Sequence, residues 1–211
     1  MRLSNYQHIS FDLDGTLINS LPVMEHAWAE VCSSLGLNVP FTEYKNQIGK
    51  PFKLIMENLK IKDEWGEIEK LYFEITGASV EKIELFYGAA DLLDELKQTG
   101  KSTSLITSKP QRNVDKILKR LNLEFDVVVA GDTVAIGKPG RDAFDLVRSE
   151  LNLADDCKAI YFGDVISDMI FAVNAEIDYC HCNFGAFGSL PNGIIPEVLT
   201  ISSWTDLAGN L

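Results

Sequence analysis

Positive charge is scarce in this chain of 211 residues: nineteen Lys and Arg stand against thirty-one Asp and Glu, a formal net charge of −12. Such a surface repels polyanions over most of its area, which excludes nucleic acid and anionic membranes as broad partners. Long apolar runs are missing as well. No stretch approaches the roughly 18 residues a membrane span requires, and the N-terminal region reaches Asp12 before a signal-like apolar core can form. The four cysteines, Cys32, Cys157, Cys180 and Cys182, fall in no CxxC pattern and are too few and scattered for a disulfide scaffold. Reduced thiols and a cytoplasmic protein are expected, with no nucleic acid and no membrane among its partners. Internal repeats and low-complexity stretches are also absent.

What remains is 46% hydrophobic and 24% charged, suited to one domain or one domain with a modest insertion. Tyr6 to Phe11 leads into Asp12-Leu13-Asp14-Gly15-Thr16-Leu17, and the alternation of Ile9, Phe11 and Leu13 predicts a strand that leaves Asp12 and Asp14 on the other face. From Ser20 the period becomes helical. Met24, Ala27, Trp28 and Val31, then Phe52, Ile55, Met56 and Leu59, then Trp65, Ile68, Tyr72 and Ile75 predict amphipathic helices, with breaks near Gly36-Pro40 and Gly49-Pro51. Trp28, Trp65 and Tyr72 read as core of that helical block. After Gly88, helix patterns alternate with the strand-like runs Ser102 to Ile106, Phe125 to Ala130, Lys158 to Phe162 and Ile177 to Cys182. The expected fold is α/β: a Rossmann-like parallel sheet with helices on both faces and an inserted all-helical cap. A catalytic core of residues 1–17 and 85–211 and a cap of residues 18–84 are expected, the cap covering the carboxyl edge of the sheet, where open α/β folds bind ligands.

The chemistry-bearing residues fall at ends of the expected strands: Asp12 and Asp14, then Thr107 and Ser108, then Lys138-Pro139, then Gly163-Asp164 with Asp168 beyond. Groups at the carboxyl ends of one parallel sheet converge on one crevice. Converging carboxylates repel one another and call for a cation, and all-oxygen ligation with positions left for water and phosphate suits Mg²⁺. With an ordinary pKa near ~3.9, a carboxylate is ionised at neutral pH and can attack phosphorus to form an aspartyl-phosphate. Asp12 fits that role.

These residues, in this order, resemble the haloacid dehalogenase superfamily, in particular its phosphoglycolate-phosphatase-like branch with a helical cap. The first motif reads Ile9 to Leu17, the second Leu105-Ile106-Thr107-Ser108-Lys109, the third Gly137-Lys138-Pro139 and the fourth Tyr161 to Asp168. The resemblance implies that Asp12 is nucleophile and metal ligand. Asp14 would protonate the leaving alkoxide, deprotonate the attacking water and give the metal its backbone carbonyl. Lys138 would neutralise charge, and Asp164 and Asp168 would complete or orient the metal site. Gly15, Thr107 and Ser108 would contact the phosphoryl group, and Gly49-Lys50-Pro51 resembles the family's specificity loop. There Lys50 either meets a substrate carboxylate or second anion, or is a solvated lysine in a turn. Ser108 departs from the Asn common in relatives. Asp14 favours phosphatase over dehalogenase chemistry, because the dehalogenating members lack a carboxylate there.

The resemblance thus implies a phosphoric monoester hydrolase that uses Mg²⁺ and acts on a small phosphomonoester of phosphoglycolate or sugar-phosphate type, as a monomer or homodimer. The alternatives are a phosphomutase of the β-phosphoglucomutase type and a non-enzymatic metabolite binder.

Overall fold

Strand β1 (His8–Phe11) is buried along its whole length because it runs through the middle of a sheet. The computed structural model describes residues 2–61, 65–185, 199–207 and 209. In chain order, β1 is followed by β2 (Ile18–Asn19), α1 (Leu21–Leu35), α2 (Phe41–Lys45), α3 (Phe52–Asn58), α4 (Trp65–Ala78) and β3 (Glu84–Leu85). Then come α5 (Ala89–Gln98), β4 (Ser102–Ile106), α6 (Gln111–Leu121), β5 (Val127–Val129), α7 (Asp142–Glu150), β6 (Ala159–Gly163), α8 (Ile166–Asn174), β7 (Asp178–Cys182) and β8 (Leu199–Ile201). Six strands form one sheet in the order β5-β4-β1-β6-β7-β8, every neighbouring pair parallel. Phe11 lies opposite Leu105 on one side and Phe162 on the other, so the residues just past β1, β4 and β6 emerge side by side.

Strand alternation sorts the core into two layers. Leu105, Ile160 and Phe162 pack with Leu92 and Leu96 of α5 and Val114 and Ile117 of α6. Ile106, Ala159 and Tyr161 pack instead with Phe144 and Val147 of α7 and Phe171 and Ala172 of α8. Helices therefore cover both faces, as expected for α/β.

Helices α1 to α4 carry a third cluster of their own, with Trp28, Tyr44, Ile55 and Tyr72 buried within it. The apolar stripe of α1 is helical in period, and the helix stops at Gly36, whose φ of +66° costs glycine nothing. Trp65 departs from its expected place: it precedes the buried stripe of Ile68 and Tyr72 on α4 and is 38% exposed. The antiparallel β2–β3 pair, Ile18 opposite Leu85, joins the two chain crossings into and out of this block. The strand expected over 125–130 is shorter, Val127–Val129, and just before it the Asp126 carboxylate accepts from the Thr103 backbone N–H (2.7 Å). The region expected to complete the core, 85–211, includes positions 186–198, 208, 210 and 211, which lie outside the described residues.

At the opposite end of the sheet from the site, His8 is buried in a hydroxyl network, Nδ1 to Ser102 Oγ (2.9 Å) and Nε2 to Ser10 Oγ (3.0 Å) and Ser104 Oγ (2.9 Å). Burial lowers its pKa from 6.5 to about 4, with Asp126 pulling weakly the other way. A depressed imidazole pKa favours folding fully only above the unfolded value, and that stabilisation is lost as pH falls from 6.5 towards 4. The loss reaches about 3 kcal/mol, at about 1.4 kcal/mol per unit. Urea unfolding at pH 7 and pH 4.5 should accordingly show a much steeper loss in wild type than in His8→Leu; equal slopes would assign the acid sensitivity to other groups.

Candidate active site

The hydrogen-bond ladder carries the sheet's register one residue past its strands. Asp12 N–H donates to Phe162 O (2.8 Å) and Thr107 N–H to Val129 O (3.0 Å), so both side chains start from fixed backbone. Asp164 follows β6 directly. Lys138 does not sit at a strand end, as the sequence reading had it: β5 stops at Val129, and Lys138 arrives from the long loop that follows. Its ammonium is nevertheless buried at the centre, donating to Asp12 Oδ1 (2.5 Å), Asp168 Oδ1 (2.7 Å) and Tyr161 Oη (2.9 Å). Tyr161 donates in turn to Ile106 O (2.9 Å), fixing the hydroxyl that holds the lysine.

Asp168 is a brace. Its Oδ2 accepts from the Asp164 and Val165 amides (3.1 and 3.2 Å) at the start of α8, a favourable end for an anion. Gly163 makes this closeness possible, since a Cβ there would lie 2.5 Å from Asp168 Cβ.

Asp12, Asp164 and Asp168 are buried, and each places a carboxylate oxygen within 4.8 Å of the others. Burial pushes the Asp12 carboxyl up to about 7, Lys138 opposes that, and the Asp168 and Asp14 charges add to it. This corrects the expectation of ordinary acidity at Asp12: its own surroundings hold it near neutrality. Asp164 is likewise pushed well above the usual range by burial and then by its neighbours' negative charges. Its Oδ1 accepts from Thr16 Oγ1 (3.3 Å), while Oδ2 is buried without a hydrogen-bond partner. Three buried carboxylates, one ammonium and an orphaned oxygen form a hard, oxygen-only donor set short of positive charge, which fits Mg²⁺. Asp168 has both oxygens engaged, leaving Asp12 and Asp164 better placed to ligate.

Asp14 stands apart from that cluster. Its Oδ2 is 3.2 Å from Lys109 Nζ, a buried lysine to which the sequence reading gave no role although it lies two residues after Thr107. Gly15 closes the turn, its N–H donating to Ile18 O (2.9 Å). Thr107 Oγ1 accepts from the Lys109 N–H (3.2 Å), which leaves its own proton free to donate outward.

Above these groups lies a cavity of about 70 Å³. Asp12, Asp14, Thr107, Ser108, Lys109 and Lys138 line it from the sheet, and Tyr44, Gly49, Lys50, Phe52 and Tyr72 line it from the helical block. Gly49, at φ +91°, accepts from Ser167 Oγ (3.0 Å) through its carbonyl, and a Cβ there would lie 2.7 Å from that oxygen, so the closure demands glycine. Lys50 donates to Gln47 Oε1 (2.7 Å) at the rim. The structure thus gathers Asp12, Asp14, Thr107, Ser108, Lys138, Gly49 and Lys50 around one space, with Asp164 and Asp168 supporting it and Gly15 in the adjoining turn.

Residues 9–182 match the family profile described as haloacid dehalogenase-like hydrolase. The chain belongs to that family. It is 32% identical over 194 residues to the phosphorylated carbohydrates phosphatase of Thermotoga maritima, covering 88% of this chain and 87% of that one. It is 29% identical over 194 residues to a phosphoglycolate phosphatase of Psychrobacter arcticus, covering 85% and 84%. A solved haloacid dehalogenase-like family hydrolase from Streptococcus pneumoniae superposes with a TM-score of 0.82 at 24% identity, over 97% of each chain, a likeness of fold. Among the described residues no helix is long and apolar enough to cross a membrane.

Proposed function

We propose that this haloacid dehalogenase-like hydrolase is a Mg²⁺-dependent phosphatase for small phosphomonoesters, working through an aspartyl-phosphate on Asp12, with residues 18–84 as its cap. The observation that carries the reading is the Asp12 carboxylate on the wall of a covered cavity, held by Lys138 at 2.5 Å, with a second carboxylate, Asp14, on the same wall. The substrate classes are those named for its relatives, phosphorylated carbohydrates and phosphoglycolate.

In the first half-reaction an Asp12 oxygen bonds to phosphorus as the bond to the leaving oxygen breaks, and Asp14 gives that oxygen a proton. In the second, water attacks the acyl phosphate, Asp14 takes the water proton, and phosphate departs with the Asp12 carboxylate restored. Lys138 screens the charge of the nucleophile, and the free Thr107 proton donates to a phosphoryl oxygen. Asp12, Asp164 and the Asp14 carbonyl would hold Mg²⁺, with Asp168 orienting them, and the ion supplies charge neutralisation and keeps Asp12 ionised. The covering helices exclude water from the acyl transfer and restrict the leaving group's size.

Phosphate release over a panel of phosphoglycolate, sugar phosphates and nucleoside monophosphates tests the reading. Small esters should turn over far faster than phosphopeptides or end-phosphorylated oligonucleotides. EDTA should silence the enzyme and Mg²⁺ restore it, while Ca²⁺, which favours six to eight ligands, should bind without supporting turnover. Full activity in excess EDTA would remove the metal from the mechanism. An isomer, rather than free phosphate, from a hexose 1-phosphate would reassign the chemistry to a mutase.

A further inference from the structure

Lys109, between β4 and α6, is only 5% exposed, whereas a lysine is almost never fully buried unless it is paired. Its main chain is held on both sides. The N–H donates to Thr107 Oγ1 (3.2 Å), and the carbonyl accepts from the Gly131 N–H (2.9 Å). Gly131 approaches so closely that a Cβ there would collide with the Ser108 carbonyl, so segment 107–109 is fixed against the loop beyond β5. An apolar side chain could fill this buried position without desolvating an ammonium, so the charge calls for an explanation outside packing.

That charge faces Asp14 Oδ2 at 3.2 Å. The dependence is mutual, because Asp14 Oδ1 is buried without a hydrogen-bond partner, so among the described residues the Lys109 ammonium is what orients this carboxylate. The other lysines lining the cavity are committed elsewhere, Lys138 to Asp12 and Asp168 and Lys50 to Gln47. Met24, Ile48, Phe52, Ile55 and Phe73 line the same space, and surroundings of such low polarity strengthen a charge pair. The two carboxylates on the cavity wall thus have an ammonium each.

We infer that Lys109 is the positioning residue for Asp14: its ammonium holds the carboxylate where it serves the leaving oxygen and the attacking water, and screens its charge from the incoming phosphate. This rests on the phosphatase reading and gives that reading a second lysine, distinct in task from Lys138. A lysine that merely supported the fold would matter equally for every ester. One that acts through Asp14 matters only where Asp14 does.

The test measures Lys109→Met, which keeps the bulk and removes the charge, with Mg²⁺ on two kinds of ester. One is glycerol 1-phosphate or phosphoglycolate, whichever wild type hydrolyses faster; the other is p-nitrophenyl phosphate, whose leaving group needs little protonation. On the alkyl ester kcat/KM should fall about a hundredfold, the scale of one lost electrostatic group. On p-nitrophenyl phosphate it should fall less than about tenfold, because there kcat/KM reports only transfer to Asp12. The kcat on that ester should still drop, with a burst of p-nitrophenolate, since the second half-reaction needs Asp14 to take a proton from water. Lys109→Arg should recover part of each loss. In an Asp14→Ala background, Lys109→Met should cost no more than about a further twofold on p-nitrophenyl phosphate. Lys109→Gln carries the same comparisons if the methionine variant does not fold. Unchanged rates, an equal loss on both esters, or an undiminished loss in the Asp14→Ala background would overturn the inference while leaving the phosphatase intact. Failure of wild type to hydrolyse any ester would overturn both.

Discussion

Asp12→Asn should release no measurable phosphate from any ester while keeping its fold. The amide oxygen is a far weaker nucleophile than a carboxylate, and the substitution also replaces an anionic metal ligand with a neutral one, so loss of turnover follows from two independent causes. The structure adds an expectation about stability. Burial and the neighbouring charges of Asp168 and Asp14 raise the Asp12 carboxyl to about 7, so its ionised form is disfavoured in the folded protein, and the disadvantage builds as pH rises from the ordinary 3.8 to about 7 and is complete above that value. Asparagine carries no charge at any pH. At pH 8, without added metal, the variant should therefore melt at a temperature equal to or above that of wild type, an active-site trade of stability for reactivity. Phosphate release comparable to wild type would remove Asp12 from the mechanism, and a sharply lowered Tm at pH 8 would show that the Lys138 contact outweighs the burial of charge.

Lys138→Ala carries the second large effect. The ammonium is the central cation among Asp12, Asp168 and the Tyr161 hydroxyl. Losing an electrostatic group aimed at the reacting centre typically lowers kcat about a hundred- to a thousandfold. Removing one partner from a buried ion pair also destabilises a fold by about 3–5 kcal/mol. Both losses are expected together, and Mg²⁺ separates them: it should raise the variant's Tm more than wild type's, because the carboxylates then lack any other counter-charge, yet it should leave kcat low. A kcat near wild type in folded Lys138→Ala would assign charge neutralisation to another cation, for which Lys109 is the nearest candidate.

Much of this arrangement was legible in the sequence because a parallel sheet turns linear order into convergence. Asp12, Thr107 and Asp164 each follow a short apolar run directly, and the ladder that aligns Phe11 with Leu105 and Phe162 brings them together. Lys138 was legible through its motif and not through geometry, since its loop wanders well past β5. Lys109 and Tyr161 were passed over for a common reason. A lysine in a loop and a tyrosine in a strand look ordinary until a carboxylate or ammonium is found opposite, and such partners lie far away in sequence. Trp65 was misplaced because periodicity marks an apolar stripe without showing how far along the helix the stripe stays covered. The two-residue strands β2 and β3 are too short to leave an alternation, and Leu199–Ile201 was likewise too brief to be read as a strand. Tyr72 was correctly read as core.

The β2–β3 pairing has a wider consequence. With Asn19 opposite Glu84, the chain departs from the sheet and returns to it at neighbouring points. A segment whose ends adjoin behaves as a module: it can be lengthened, rebuilt or exchanged with little demand on the strand order behind it. On the reading proposed here, chemistry and selectivity would then be written on separately replaceable stretches of one chain, Asp12 to Thr16 with the segments beyond Gly88 holding the former and the α1–α4 stretch much of the latter. Grafting that stretch from a relative of different taste, joined at Asn19 and Glu84, is the shortest route from this protein to a new substrate.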